Sequence, residues 1–309
     1  MSRLEVWAPD GLPEVQPGDD LAGLLLGALH GGADLADGDV VCVTSKVVSK
    51  AEGRTRRGER EEAIDEESVR LVARRGATRI VRHRLGLTMA AAGVDASNVA
   101  AGSIVLLPLD PDASARALRR EIRQRAGVNV AVVVTDTAGR AWREGQTDLA
   151  IGAAGLVVAE DFAGRTDPHG NPLAVTLPAV ADELAGAAEL AQGKLAGRPL
   201  AVVRGRADLV LAPSEDGTGA VALVRPDGAD LFGWGAREAV VRALAGDDAD
   251  RVPFGAPADA DELAAALGRL PDAADRTAVA AVCFAHGWRI EDWERGGSDG
   301  VCDGSPRTT

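Results

Sequence analysis

VVVTDTAGRAWREGQTD, residues 132–148, opens as an apolar strand and ends in a carboxylate and a hydroxyl side by side. Residues 128–135 (VNVAVVVT) form a nearly continuous apolar run, the pattern of a strand buried on both faces. Asp136 and Thr137 then fall at the rim of a sheet. Hard divalent cations take such oxygen ligands, often one or two carboxylates completed by phosphate oxygens. The same pair also suits an Asx or Ser/Thr turn that simply ends a strand. Gly139 permits close approach or a positive φ. Arg140 and Arg143 are candidates to grip a substrate carboxylate or phosphate with two hydrogen bonds each.

Around that strand, helix and strand signals alternate irregularly. Asp19-Asp20 ahead of LAGLLLGAL predicts an N-capped helix that stops at Gly31-Gly32. DVVCVTSKVVSK reads as one strand leaving a turn at Asp37-Gly38. EREEAIDEESVRLVARRG reads as a helix with acids early and arginines late. ATRIVRH is a short strand, LPAVADELAGAAELAQGKLAG a long amphipathic helix, PLAVVRG and ADLVLAP strands, and residues 235–245 a helix. Strands scattered among helices without strict βαβ order predict an α+β fold of mixed or antiparallel sheets with packed helices.

The character changes after Gly246. GDDADRVPFGAPADADE reads as an acidic linker, DELAAALGRL and AADRTAVAAVCFAHGW as helices. The last 14 residues, GGSDGVCDGSPRTT, carry too little apolar surface to fold alone and are expected to be disordered. The expected division is a principal domain over 1–246 and a small acidic, partly helical appendage over 247–309.

Composition excludes several classes. The 309 residues are 46% hydrophobic, enough for a sizeable core. A net charge of −13 repels nucleic-acid phosphates. No run of about 18 apolar residues suggests a membrane span, and MSRLEVWAPDG is not a signal peptide. Cys42, Cys283 and Cys302 lack CxxC spacing, which fits a reducing cytoplasm better than a disulfide framework. The common phosphate and metalloprotease signatures GxxxxGK[ST], GxGxxG and HExxH are missing.

The lysines narrow the search. Of 34 basic residues only Lys46, Lys50 and Lys194 are lysine, and a compact ammonium suits a crowded phosphate site better than a planar fork. In VTSKVVSKAEGR, residues 43–54, a strand reading places Lys46 and Lys50 on one face, either solvated or clamping a polyphosphate. GVDASNV, residues 93–99, offers Asp95 and Asn98 as a helix cap, or as a metal ligand and a carboxamide for a base or ribose. AELAQGKLAGRP, residues 188–199, reads as a helix C-cap with basic residues near the last carbonyls, and it holds the third lysine.

These segments, with VVVTDTAGRAWREGQTDLAIGAAGL and GNPLAVTLPAVADELAGAAELAQGKLAGRPLAVVRG, occur in the order seen in the coenzyme F420-0:L-glutamate ligase family, which the chain resembles over roughly residues 4–245. AWREGQ departs from the PWRNG wording of the family at that turn. The resemblance implies an α+β homodimer with an inserted subdomain (roughly 85–190), without the flavin reductase domain fused to some relatives. It implies a GTP-dependent ligase that adds L-glutamate to F420-0, then further γ-linked glutamates, using magnesium or manganese, with potassium helping. The metal carboxylates then fall on Asp95 and Asp136, with Thr137 beside a second metal. Nucleotide contacts fall on Leu12, Pro13, Glu14 and Val15, on Ser45, Lys46, Lys50 and Asn98, and on Gln192, Gly193, Lys194, Leu195, Ala196, Gly197, Arg198 and Pro199. Asp95, Asp136, Lys46 and Lys50 become the catalytic set, and Arg82, Arg84, Arg140 and Arg143 candidates for holding substrate. Two other readings keep the phosphate machinery: a metal-dependent phosphotransferase or ligase acting on another phosphorylated acid, and a non-catalytic GTP sensor.

Overall fold

The computed structural model describes residues 3–96 and 102–296. Asn98 and the C-terminal tail expected to be disordered lie outside them, Gly296 apart. In chain order the elements are β1 (Glu5–Trp7), α1 (Leu21–Ala28), β2 (Val40–Thr44), α2 (Ser45–Ala51), β3 (Thr55–Arg57) and α3 (Arg60–Glu67). Then come β4 (Ser68–Arg75), β5 (Thr78–His83), β6 (Thr88–Ala90), β7 (Ser103–Val105), α4 (Pro111–Ala126), β8 (Ala131–Gly139) and β9 (Gln146–Ala154). The chain continues through α5 (Val180–Gln192), β10 (Leu200–Arg204), α6 (Ala236–Ala245), α7 (Ala260–Leu267), α8 (Arg276–Ala285) and α9 (Ile290–Gly296). The class is α+β, as the irregular alternation predicts.

Contacts divide the chain into two units. The first holds the residues up to Val69 and those from His83 to Val224; the second holds Arg70–Arg82 and everything from Arg225 onward. The boundary expected near residue 246 lies inside the second unit, just after α6.

The first unit is organised by a five-stranded sheet in the order β1-β10-β2-β8-β9. β2 and β8 run parallel, and the other neighbours are antiparallel. Alternation sorts the side chains of these strands. Val41, Val43, Val132, Val134, Leu200 and Val202 face one core, with α1 and α4 against them. Val40, Cys42, Ala131, Val133, Ala201 and Val203 face the other, where α5 packs. Covering both faces is what the unbroken apolar runs require. The α5 face is built from small residues, Ala181, Ala188, Ala150 and Ala153 among them, so helix and sheet approach closely.

Two buried polar residues tie loops to this sheet. The Asp112 carboxylate, in the first turn of α4, accepts the backbone N–H groups of Ala153 (2.7 Å) and Ala220 (2.7 Å). Arg119, also on α4, donates to the carbonyls of Val130 (2.9 Å), Leu211 (3.0 Å) and Ala212 (3.0 Å). Buried polar groups stay only where they are paired in this way.

Three sequence readings are corrected. The strand at residue 40 ends at Thr44, and Ser45–Ala51 is helix α2. Val47, Val48 and Ala51 recur at helical spacing and pack into the α1 core, so tertiary burial overrides the β-branched bias. The helix read over residues 59–76 stops at Glu67, where β-branched and bulky residues take over as β4. ADLVLAP forms a single 3-10 turn over Ala207–Leu209, and only Val210 bridges to Leu156. Helix α4, with Asp110 as its N-cap and Gly127 in the left-handed region at its end, was not anticipated.

In the second unit β4 and β5 are neighbours. The Trp234 indole lies beneath the guanidinium groups of Arg70 (4.6 Å) and Arg242 (5.0 Å). Helices α7 to α9 close a separate small core on Leu263, Cys283 and Ile290. No helix among the described residues is long and apolar enough to cross a membrane.

Candidate active site

The site is built where β2 ends and its parallel neighbour β8 runs on beside β9. The register pairs Thr44 with Thr135, so the residues after each pair emerge together. After Thr44 the chain turns at once into α2, which presents Ser45 at its first position. The Ser45 hydroxyl donates to Asp136 Oδ1 at 2.9 Å. Lys46 pairs with Asp95 at 2.6 Å. Asp95 is held by an antiparallel bridge to Val105, and β7 in turn pairs with β3 just after α2. Lys50 is buried one helical turn beyond Lys46 and is paired with Glu14. The two lysines do share a face, by helical i,i+4 spacing instead of strand alternation.

A second group gathers on the opposite face of β8. Thr137 points towards α5, where its hydroxyl donates to Asp148 Oδ1 at 2.6 Å and accepts from Lys194 Nζ at 3.0 Å. Thr135, fully buried, donates to Asp148 Oδ2 at 3.2 Å. Lys194 also stands 4.0 Å from Glu189 on α5. A register shift between Val134 and Thr135 separates the apolar part of β8 from this polar end. Asp136 and Thr137, adjacent in sequence, therefore serve opposite faces of one strand end.

Acidic charge gathers around Asp136, with the ammonium groups of Lys46 on Asp95 and Lys194 on Thr137 nearby. Burial pushes the Asp136 carboxyl up to about 6, with Asp148 and Asp95 adding like charge against the hydrogen bond from Ser45. Among the described residues no three acidic, histidine or cysteine side chains gather tightly enough to hold a metal alone. The donors fit a magnesium-type ion that keeps water or phosphate oxygens in its shell: hard carboxylate and hydroxyl oxygens, with no sulfur and no imidazole.

The loops expected to carry nucleotide lie around this end of the sheet. Leu12 packs on the α1 core, Val15 is buried in it, and Pro13 and Glu14 are exposed between them. Gln192 ends α5, and its buried Nε2 has no hydrogen-bond partner among the described residues. From Gly193 to Gly197 the turn is exposed, with both glycines at positive φ. Arg198 pairs with Asp10 at 2.6 Å, and the Pro199 carbonyl accepts the Thr44 N–H at 2.9 Å. That bond anchors the turn to the strand end that launches α2.

The arginines are spread more widely. Arg140 and Arg143 are exposed on the β8–β9 turn with Trp142, which sits at φ 64 and is 87% exposed. Arg84 closes a buried ion cluster, bonding Glu67 at 2.7 Å and the Leu109 carbonyl at 3.1 Å. Arg82 belongs to the second unit, where it meets Asp227 at 3.6 Å and the Arg225 carbonyl at 3.0 Å.

Sequence reasoning missed Asp148. Its signal is an acid inside an alternating strand, QTDLAIGAA, at a position that points inward. It also missed the Ser45–Asp136 link, which depends on strand pairing across the sheet.

Comparisons with known proteins converge on this region. The model of the F420-0:Gamma-glutamyl ligase family matches residues 11–205, which contain every candidate site residue named above. Coenzyme F420:L-glutamate ligase of Haloarcula marismortui is 43% identical over 232 residues, covering 65% of this chain and 87% of that protein. The protein of the same name from Archaeoglobus fulgidus is 41% identical over 224 residues, covering 66% and 88%. That of Methanopyrus kandleri is 38% identical over 240 residues, covering 71% and 93%.

Proposed function

The chain belongs to the F420-0:gamma-glutamyl ligase family, and from that premise we propose that it joins L-glutamate to coenzyme F420-0, then adds further γ-linked glutamates, at the expense of GTP. The observation that carries this reading is the Ser45–Asp136 and Lys46–Asp95 pairing where β2 gives way to α2 beside β8, inside the matched segment.

Amide synthesis from a carboxylate needs activation, because a carboxylate is a poor electrophile at neutral pH. In the proposed reaction a carboxylate oxygen of the acceptor attacks the γ-phosphorus of GTP, and GDP leaves. The glutamate amine attacks the resulting acyl phosphate, loses a proton, and inorganic phosphate leaves. Phosphoryl transfer of this kind depends on positioning and charge neutralisation more than on covalent help. Lys46 and Lys50 bring positive charge to the phosphates, and the Ser45 hydroxyl fixes the orientation of the Asp136 carboxylate. Asp95 and Asp136 would hold one magnesium or manganese ion and Thr137, on the other face of the strand, would stand beside a second; bound there, the ions would neutralise phosphate charge. Potassium and a homodimeric assembly belong to the same proposal. So does substrate recognition by the exposed Arg140 and Arg143, whose turn extends from the strand that carries Asp136.

The test is an incubation with F420-0, L-glutamate, GTP and manganese, read by mass spectrometry. The expected result is F420 species heavier by whole glutamyl units, with one GDP per unit. GDP release without glutamyl addition would sink the choice of acceptor.

A further inference from the structure

Asp148 is a buried carboxylate, 4% exposed, whose two oxygens are taken by two threonine hydroxyls of the neighbouring strand. Register places it directly opposite Thr137. A buried acid is costly unless it does something specific for its partners. What it does here follows from the hydrogen-bond directions. A carboxylate can only accept, so the Thr137 hydroxyl must spend its single proton on Asp148. The lone pairs of Thr137 Oγ1 are then turned away from the sheet interior. Lys194 already reads them as an acceptor, donating at 3.0 Å from the open side. Thr135 holds the second carboxylate oxygen from inside the core, so Asp148 is fixed at both ends.

We propose that Asp148 is a positioning residue that orients the Thr137 hydroxyl as an oxygen ligand for a divalent cation. The inference rests on the reading of Thr137 as a metal ligand. An aspartate in this place does what a neutral side chain of the same shape does not. An asparagine can present its amide N–H to Thr137, which would occupy the lone pair that the cation needs. Partners outside the ligand set commonly change metal affinity by about 10–100-fold.

The experiment is a titration of the purified full chain with Mn2+, following the free-ion electron paramagnetic resonance signal, so that no turnover is required. Five proteins are compared: wild type, Thr137→Val, Thr137→Ser, Asp148→Asn, and the double variant Thr137→Val/Asp148→Asn. Thr137→Val is expected to weaken Mn2+ binding, and Thr137→Ser to restore it to within about twofold of wild type. Asp148→Asn is expected to raise the dissociation constant about tenfold. In the Thr137→Val background the same change is expected to add less than twofold, because its route to the ion is already gone.

An undiminished tenfold effect in that background would overturn the proposal, since Asp148 would then act by charge through space. Unchanged Mn2+ binding in Asp148→Asn would overturn it as well. If wild type bound no Mn2+, or if Thr137→Val bound it normally, the metal reading of Thr137 would fail and take the proposal with it. That outcome differs visibly from the other two. Should Asp148→Asn not fold, Thr135→Val keeps the shape and the charge but frees one end of the carboxylate. It is then expected to weaken Mn2+ binding severalfold, and no change would count against the proposal.

Discussion

Ser45 and Asp136 are 91 residues apart in sequence and 2.9 Å apart in space, joined by a hydroxyl that donates to the carboxylate. The bond exists because β2 stops at Thr44 and turns into a helix while its parallel neighbour β8 runs on beside β9. It places the first residue of α2 against the polar end of β8, and with it a lysine-bearing helix against a carboxylate.

Asp136→Asn removes charge while keeping size. The expected result is a folded protein whose glutamate-dependent GDP release falls about 100-fold or more, the scale on which one preorganised charge-stabilising group acts. Ser45→Ala leaves the carboxylate but frees its orientation, and about a tenfold loss is expected, equivalent to roughly 1.4 kcal/mol of barrier. Steady-state GDP release, with circular dichroism to check folding, measures both. Full activity in Asp136→Asn would refute the assignment of the site.

Lys46 and Lys50 lie on the same helix face but have different surroundings. Lys46 is a quarter exposed and paired with Asp95, whereas Lys50 is buried and paired with Glu14. Lys46→Met should therefore act mainly on nucleotide binding, raising KM for GTP about tenfold, the scale of one charge-assisted hydrogen bond. Lys50→Met should also shift thermal stability, because it empties a paired position at the core edge. A Lys46→Met enzyme with unaltered KM for GTP would remove this lysine from the phosphate site.

Much of this site was legible before the fold was known. The run VVVTDT announced a buried strand that turns polar at Asp136 and Thr137, and the rarity of lysine picked out Lys46, Lys50 and Lys194, of which Lys194 bonds Thr137, Lys46 pairs with Asp95 and Lys50 with Glu14. Residues that act through their neighbours were less legible. Asp148 shows in the sequence only as an acid within an alternating strand, and its partners emerge through its cross-strand pairing with Thr137. Local sequence misassigned α2, because the valines of SKVVSKA prefer strands and only packing against the α1 core makes them helical. Arg84 looked like a free anion grip, and its commitment to Glu67 follows from a turn that sequence spacing does not reveal.

Asp112 shows how the sheet edge is fastened. Its Oδ1 accepts from Ala153 and Ala220, and its Oδ2 from the Val221 N–H at 3.3 Å. Asp112→Asn keeps one acceptor oxygen but turns an amide towards a backbone donor, at a cost of about 1–3 kcal/mol. Asp112→Ala leaves all three N–H groups unmet, and a loss of about 3 kcal/mol or more is expected. Urea unfolding should show a lower midpoint with an unchanged slope. An Asp112→Ala protein as stable as wild type would mean that these loops are fastened by other contacts.

His83 gives the fold a defined response to acid. It is fully buried, accepts the Leu85 N–H on Nδ1 at 2.9 Å, and lies with Nε2 3.2 Å from Glu67. Accepting on Nδ1 leaves the proton on Nε2, so the neutral ring satisfies both neighbours. Burial lowers the imidazole to about 4, and Arg84 adds to the effect while Glu67 opposes it. Between pH 6.5 and about 4 the unfolded chain therefore binds a proton that the folded one refuses. Stability from this group is complete above 6.5 and is lost as pH falls, by up to about 3 kcal/mol. Glu67, held low by Arg54 and Arg84 against its burial, acts in the opposite part of the range. Its contribution is present above 4.5 and disappears only as pH drops through its depressed folded value. Between pH 7 and 4.5 the Asp136 carboxyl, raised to about 6, takes up a proton in the folded state that the unfolded chain does not, which opposes the histidine, so the histidine is isolated by the difference between the urea midpoints of wild type and His83→Gln. Over that interval wild type should lose stability relative to His83→Gln, which cannot take up a proton. Parallel profiles for the two proteins would show that the buried imidazole does not set the acid sensitivity of this fold.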